Sequence, residues 1–273
     1  MTLEDHLGDI LRKARQSAGV STLTAANAAE LAESEYAAVE NDGRIGKRPN
    51  FQALQGLVGL NAKKLESIAA GWLPPRIDLS EWRELRQITT QGESYSVNCF
   101  LVWDEASHEA ALFDTGFDAG PVFDLIQSNE LHLSHLFITH THHDHIEALG
   151  PIRQKFPKVK LHSSSKSAPM DQRNRPGEVI PLGGLRISHR DTPGHAEDGV
   201  TYVIDHFPRN ATGVAVVGDA LFAGSMGGAK QLADLAKLKI RDEIFTLPAA
   251  TLICPGHGPV TTVELEMTNN PFF

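Results

Sequence analysis

Four potential metal ligands lie within six positions near the middle of the chain. Residues 139–145 read Thr-His-Thr-His-His-Asp-His, and the ligand-type side chains of this run are His140, His142, Asp144 and His145. Imidazole nitrogens together with a carboxylate suit zinc, manganese or iron. Residues 136–139, Leu-Phe-Ile-Thr, lead into the histidines and predict a short buried strand. Ligands at the end of such a strand are typical of the active site of an α/β protein.

Three later segments each add one ligand-type residue, namely His195, Asp219 and His257. Each follows a predicted apolar strand (185–189, 214–217 and 251–254) and a glycine-containing turn. Glycine lets the backbone bend tightly and approach a metal closely. With the first four, these residues could hold two divalent cations bridged by one carboxylate.

The composition indicates a globular protein long enough for one large and one small domain. The chain has 273 residues, 41% of them hydrophobic and 22% charged. A formal net charge of −9 argues against polyanion binding by the whole surface. Cys99 and Cys254 lack CxxC spacing and suit a reducing compartment, and we expect both to be buried as small apolar residues. No signal peptide or membrane-spanning run is visible, so we expect a cytoplasmic protein.

The pattern of the chain changes near residue 75. Residues 1–73 carry helical apolar spacing throughout, and Pro74-Pro75 then stops helix formation. From residue 76, strand-like runs alternate with helical ones, which favours sheets with helices outside them. We predict a helical domain over 1–73, a linker and the start of the second domain over 74–87, and a catalytic domain over 88–273.

The N-terminal helices resemble the Cro/repressor-type helix-turn-helix domain, on residues 11–15, 28–32, 40–43 and on Pro49, Leu54 and Leu57. The candidate recognition helix, residues 34–40, has two glutamates and neither Lys nor Arg, unlike DNA-reading helices. Residues 1–75 carry eight basic and nine acidic side chains, without the basic footprint of a nucleic-acid module. DNA binding is therefore disfavoured, and a bundle for packing or homodimerisation is the preferred interpretation.

The ligand pattern resembles the metallo-β-lactamase superfamily, and within it the glyoxalase II-like (hydroxyacylglutathione hydrolase-like) hydrolases. The superfamily motif HxHxDH is matched by residues 140–145, and the segments 218–225 and 255–259 are similar to the glyoxalase-like branch. The resemblance spans roughly residues 88–272. It implies an α/β fold, the αββα sandwich, here preceded by a small all-α helix-turn-helix-like domain. The site would lie at one edge between the two sheets.

The resemblance also implies a role for each ligand. One metal would take His140, His142 and His195, the other would take Asp144, His145 and His257, and Asp219 would bridge them. Asp114, in the Asp-Thr-Gly turn, would support the metal loop without binding metal. Zinc is the expected ion at both positions, with iron and manganese as alternatives. Asp219 disfavours the β-lactamases that use cysteine at the second metal, and His142 in place of glutamate disfavours the flavodiiron pattern.

Such a pair of cations implies hydrolysis of a small-molecule substrate. Two cations lower the pKa of a shared water, so that hydroxide can attack a polarised carbonyl. Asp144 is the candidate catalytic residue, placed to orient the nucleophile or to accept its proton. Family resemblance favours a thioester. The basic residue that relatives often place within 223–229 is missing, although Lys230 is close.

Two other functions stay open at this point. A persulfide dioxygenase shares the fold and much of the motif but uses one iron. A transcriptional regulator could combine the helix-turn-helix-like domain with a ligand-sensing, hydrolase-like domain. The basic side chains of Lys166, Arg173 and Arg175 could reach an acidic substrate or be surface charges. His143 is expected to point away from the metals.

Overall fold

The structure, a computed structural model, describes residues 2–273 and places five helices before two facing β-sheets. The expected αββα sandwich with a preceding helical region is confirmed. The N-terminal helices are α1 (Leu7–Ser17), α2 (Thr22–Ala28), α3 (Glu33–Asp42), α4 (Phe51–Val58) and α5 (Ala62–Ala69). The later helices are α6 (Gly120–Ser128), α7 (His143–Ile146), α8 (Leu149–Lys155), α9 (Ala233–Lys239) and α10 (Val263–Asn269).

The first sheet runs β1-β2-β3-β4-β5, and only its β3-β4 and β4-β5 pairs are parallel. Its strands are β1 (Leu85–Gln91), β2 (Ser96–Trp103), β3 (Glu109–Phe113), β4 (His132–Ile138) and β5 (Lys160–Ser163). The second sheet runs β13-β12-β9-β8-β7-β6. Its strands are β6 (Val179–Leu182), β7 (Leu185–Asp191), β8 (Val200–Asp205), β9 (Val214–Gly218), β12 (Leu252–Pro255) and β13 (Thr261–Thr262). A separate hairpin joins β10 (Leu221–Phe222) and β11 (Ser225–Met226).

Aromatic side chains fill the space between the two sheets. The rings of Phe113 and Phe137 stack at 4.9 Å, and Phe137 lies 4.9 Å from the ring of Tyr202 on the opposite sheet. All three side chains are fully buried. Large aromatic rings contribute much apolar area, so this layer fixes how the sheets face each other. The strand ends that carry the ligands are thereby brought to one edge.

Several elements differ from their predicted bounds for local reasons. The pattern of residues 146–156 predicts one helix, but the chain forms α7 and α8 separately, since Pro151 has no N–H for a helical bond to the carbonyl of Glu147. Helix α3 begins at Glu33, one residue before the predicted start of the candidate recognition helix. Its N-cap is Ala32, whose N–H donates to the Glu35 carboxylate at 2.8 Å. Strand β1 begins at Leu85, within the range predicted as linker and start of the second domain, and its polar residues give no clear strand pattern.

The N-terminal helices share a hydrophobic core with the outer face of the second sheet. Leu65 and Ile68 of α5 belong to the same buried cluster as Val217 and Phe272. Lys64 Nζ donates to the Phe273 carbonyl at 2.8 Å. Burial of apolar area at this junction stabilises both parts. No helix within residues 2–273 is long and apolar enough to cross a membrane.

One carboxyl group is buried at this junction. Glu266 of α10 is inaccessible to solvent and accepts hydrogen bonds from the Gly224 N–H at 2.9 Å, Asn270 Nδ2 at 2.9 Å and Thr261 Oγ1 at 2.8 Å. Burial raises the pKa of Glu266 from 4.5 to about 7, despite these hydrogen bonds. The folded protein therefore retains a proton that the unfolded chain releases.

We expect Glu266 to make the free energy of unfolding fall as pH rises from about 4.5 to about 7. In that interval the unfolded carboxyl ionises while the folded one stays protonated, and the loss is on the order of 3 kcal/mol. Urea unfolding at pH 4.5 and pH 7.5 measures it. Glu266→Gln should remove this part of the pH dependence, whereas the control Glu264→Gln, at an exposed position of α10, should keep it. An unchanged slope in Glu266→Gln would contradict the assignment.

Candidate metal centre

The seven predicted ligand residues converge at one edge of the sandwich. His140 follows β4, His195 follows β7, Asp219 follows β9 and His257 follows β12, each just beyond the carboxyl end of its strand. The remaining ligand-type residues, Asp144 and His145 on α7 and His142 at its N-cap, follow β4 directly. Strand ends gathered at one edge are a common place for an α/β binding site.

The first ligand group consists of three imidazoles. His142 Nδ1 lies 3.0 Å from His140 Nε2 and 3.0 Å from His195 Nε2. Nitrogens bound to one zinc at about 2.0–2.1 Å lie roughly 3.3 Å apart in tetrahedral geometry, so the spacing is close to that of a metal site. His140 is buried and His142 is exposed, which leaves the group reachable from solvent.

The second ligand group lies beside the first, and Asp219 stands between them. Asp144 Oδ2 is 3.1 Å from His257 Nε2 and 3.6 Å from His145 Nε2. The Asp219 carboxylate has Oδ1 at 3.3 Å from His145 Nε2 and Oδ2 at 3.4 Å from His195 Nε2. One carboxylate thus faces a nitrogen of each group. This is the placement expected of a bridging ligand.

Hydrogen bonds on the far side of the rings orient the imidazoles. Nδ1 of His145 contacts Asp114 Oδ2 at 2.7 Å, Nδ1 of His257 contacts the Ser96 carbonyl at 2.7 Å, and Nδ1 of His195 contacts the Gly228 carbonyl at 3.0 Å. When Nδ1–H donates to such an acceptor, Nε2 is left with its lone pair directed inward. Three of the rings are therefore held in the form that binds a metal.

The buried carboxylates of the centre need positively charged partners. Asp114, Asp144 and Asp219 are buried together, and buried carboxylates need positive partners. Burial opposes the charge of Asp219, but its close contacts with His145 and His257 hold its pKa well below the usual range. Burial likewise opposes charge on the two imidazoles, but Asp114 raises the pKa of His145 to about 10, and Asp144 raises that of His257 to about 11. Without metal, two imidazolium protons supply the positive charge.

Two unsatisfied atoms show that the residues fit a metal. Among residues 2–273, His145 Nε2 and Asp219 Oδ1 are buried side-chain atoms without a hydrogen-bond partner. Both point into the centre, and such atoms are costly unless a partner is bound. Gly256 adds the necessary room, because a Cβ there would lie 2.3 Å from Asp219 Oδ1 and 2.5 Å from His145 Cε1.

Asp114 fixes the start of the histidine-rich run. Its Oδ1 accepts the Thr139 N–H at 2.8 Å, and its Oδ2 accepts Thr139 Oγ1 at 2.7 Å as well as contacting His145 Nδ1. Asp114 has a φ of 58°, a left-handed conformation that non-glycine residues adopt with strain. A single buried carboxylate thereby ties strands β3 and β4 to a ligand ring.

Other residues considered from the sequence lie away from the centre. His143 is exposed and contacts Glu147 at 2.7 Å, pointing away as expected. Lys166 pairs with Glu197 on the surface, and Arg173 donates to the carbonyls of Lys166 and Ala168. The side chains of Lys166 and Arg173 are thus engaged in contacts with neighbouring residues, away from the ligand groups. Arg175 lines a separate cavity with His135 and His162.

Some supporting residues had little or no signal in the sequence. Asn98 in β2 holds the last ligand loop: its N–H donates to the Gly256 carbonyl at 2.7 Å and its Nδ2 to the Gly258 carbonyl at 2.9 Å. A polar residue inside an apolar strand was the only available indication. Tyr95, exposed by 47%, places its ring 5.9 Å from that of His257 and 5.6 Å from that of Phe117, forming an aromatic rim.

Comparison with known families agrees with this geometry. Residues 93–257 match the family described as the metallo-beta-lactamase superfamily. That match covers more than half of the chain and includes all seven ligand-type residues. It begins after the N-terminal helices, which lie outside it.

Three relatives show the range of activities among similar sequences. A probable metallo-hydrolase of Streptococcus pyogenes is 32% identical over 64% of this chain and 84% of its own. The hydroxyacylglutathione hydrolase GloC of Haemophilus influenzae is 29% identical over 66% and 93%. The human mitochondrial persulfide dioxygenase ETHE1 is 33% identical over 63% and 69%.

Two solved structures share the fold of the sandwich. The BLEG-1 B3 metallo-beta-lactamase aligns with a TM-score of 0.59 at 26% identity, covering 69% of this chain and 98% of its own. TTHA1623 in a di-iron-bound form aligns with a TM-score of 0.53 at 25% identity, covering 69% and 100%. Both alignments leave about a third of this chain uncovered.

Proposed function

The chain belongs to the metallo-beta-lactamase superfamily, and on that premise we propose that it is a metal-dependent hydrolase of thioesters or related esters. The observation that carries the proposal is the convergence of two ligand groups around Asp219. Similarity to the hydroxyacylglutathione hydrolase GloC supports the thioester preference.

We assign the ligands to two ions. His140, His142 and His195 would hold one, and Asp144, His145 and His257 the other, with the Asp219 carboxylate bridging them. Imidazoles with carboxylates suit zinc, and iron or manganese are the alternatives. When bound, the ions supply Lewis acidity and lower the pKa of water toward neutrality.

The protein's own groups contribute position and proton transfer. Asp144 is buried and keeps one carboxylate oxygen 3.1 Å from His257 Nε2, so it can orient a nucleophile or accept its proton. Tyr95 and Phe117 form an apolar rim for the acyl or thiol part of the substrate. We assign no serine or cysteine nucleophile: Cys99 and Cys254 are buried, and burial raises the pKa of both thiols.

A persulfide dioxygenase is the second candidate, favoured by the 33% identity to human ETHE1. It would use a single iron and would consume oxygen. The second ligand group, with its own carboxylate and two imidazoles in contact, favours the hydrolase.

For the N-terminal region we propose a packing role. The exposed residues of α3 are Glu33, Ser34, Glu35, Ala38, Asn41 and Asp42, without a basic side chain. This acidic face would repel DNA phosphates, whose neutralisation supplies most of the affinity of a DNA-binding surface. A mobility-shift assay with genomic fragments at low salt tests this packing role. Specific binding would contradict it and would support the regulator hypothesis.

A substrate panel with metal analysis tests the proposed activity. Protein loaded separately with zinc, manganese and iron is assayed for hydrolysis of acylglutathione thioesters and for oxygen uptake with glutathione persulfide. We expect two ions per chain and thioester cleavage without oxygen uptake. One iron per chain with persulfide-dependent oxygen uptake would instead establish the dioxygenase, and activity on neither substrate would reject both.

A further inference from the structure

A lysine of the N-terminal helix α1 reaches the loop beside the metal centre. Lys13 Nζ donates to the Met226 carbonyl at 3.0 Å and to Asp5 Oδ2 at 2.5 Å. The same Asp5 oxygen accepts the Ser225 hydroxyl at 2.5 Å. Asp5 and Ser225 are buried, and the Lys13 side chain is only 22% exposed. Two residues from the N-terminal region thus bind both residues of β11.

The loop that Lys13 holds also orients a ligand ring. Two residues beyond Met226, the carbonyl of Gly228 contacts Nδ1 of His195 at 3.0 Å. The intervening Gly227 packs so closely that a Cβ there would lie 2.8 Å from His195 Nδ1. A shift of this loop would therefore move the His195 ring or remove its acceptor.

Lys13 approaches the second ligand group as well. Its ammonium lies 5.1 Å from the centre of the Phe222 ring, within the range of a cation–π contact. Phe222 in turn packs edge-on against His257 at 5.8 Å. The Lys13 ammonium thus contacts the Met226 carbonyl, the Asp5 carboxylate and the face of the Phe222 ring. A residue needed only for apolar packing would not require these polar contacts.

We propose that Lys13 and Asp5 are positioning residues of the metal centre, acting on His195 through residues 225–228. This proposal rests on the proposed function, since it assumes that His195 binds a metal. Groups that orient metal ligands typically change metal affinity about 10–100-fold when they are removed. The N-terminal helices would then be part of the site and not a separate module.

The variants Lys13→Met and Asp5→Asn test this proposal in the full chain. Lys13→Arg keeps the charge and the donors. Arg12→Met is the matched control, since Arg12 is the neighbouring residue and donates to Asp9 and to the Glu40 carbonyl, both within the N-terminal helices. Zinc affinity is measured by chelator competition, the ligand field by the absorption spectrum with cobalt, and folding by thermal unfolding of the metal-free protein.

We expect Lys13→Met and Asp5→Asn to weaken one of two zinc ions by about 10–100-fold and to alter the cobalt spectrum. Lys13→Arg should stay within a few-fold of wild type, and Arg12→Met should keep wild-type affinity even where its melting temperature falls. Unchanged affinity in Lys13→Met, or an equal loss in Arg12→Met, would overturn the positioning role alone. A wild-type protein that binds no zinc or cobalt would overturn the proposed function itself.

Discussion

His142→Ala is expected to lower thioester hydrolysis by at least about 1000-fold while leaving the fold intact. Loss of a ligand removes Lewis acidity worth several kcal/mol of barrier, and each 1.36 kcal/mol is tenfold in rate. The fold should survive because His142 is exposed and packs into no core cluster. Surface substitutions usually change stability by no more than about 0.5 kcal/mol. Steady-state kinetics measures the loss of hydrolysis, metal analysis measures the loss of bound ion, and urea unfolding measures the stability of the fold.

The adjacent histidine provides the matched control for this experiment. His143 has the same side chain and is also exposed, but it contacts Glu147 instead of the ligand groups. His143→Ala should therefore keep two ions per chain and wild-type turnover. Full activity in His142→Ala, or equal losses in both variants, would refute the ligand assignment.

Asp114→Asn is expected to have the second large effect, although Asp114 binds no metal in our assignment. The carboxylate accepts hydrogen bonds from the Thr139 N–H, the Thr139 hydroxyl and His145 Nδ1–H. An amide retains one acceptor oxygen. Its NH₂ group either replaces Oδ1 and meets the Thr139 N–H, which cannot accept, or replaces Oδ2 and faces both Thr139 Oγ1 and His145 Nδ1. Where the NH₂ group faces His145, the ring proton must lie on Nε2 instead of Nδ1. Nε2 then has no free lone pair with which to bind a metal.

The Asp114→Asn protein should therefore lose the ion held with His145 and be less stable by roughly 1–3 kcal/mol, the cost of an unsatisfied buried group. The pKa of His145, which Asp114 raises to about 10 against the effect of burial, should fall; NMR titration of the metal-free protein follows it. Asp118→Asn, at an exposed position of the following loop, is the control. A variant with both ions bound and the wild-type His145 pKa would contradict the role of Asp114.

The seven ligand-type residues could be located from the sequence because they follow the ends of only four strands. The histidine-rich run follows apolar β4 directly, and the single ligand-type residues after β7, β9 and β12 each follow a glycine-containing turn. Parallel and antiparallel pairing then places these ends at one edge. The fold followed from the same alternation of strands and helices.

The supports of the ligands could not be predicted because their contacts are distant in sequence. The acceptors for His195 and His257 are backbone carbonyls of Gly228 and Ser96, which carry no residue-type signal. Lys13 lies 213 positions from Met226, and only the shared core brings them together. Strand β1 could not be predicted because its exposed polar residues resemble a linker. Only its pairing with β2 makes this segment a strand.

Anomalous scattering from crystals of the purified protein tests the central claim most directly, because it identifies each ion and places it among named side chains. We expect two peaks per chain a few ångströms apart, one among His140, His142 and His195 and one among Asp144, His145 and His257, with Asp219 between them. One peak only, or peaks coordinated by other residues, would contradict the two-metal centre on which the proposed hydrolase depends.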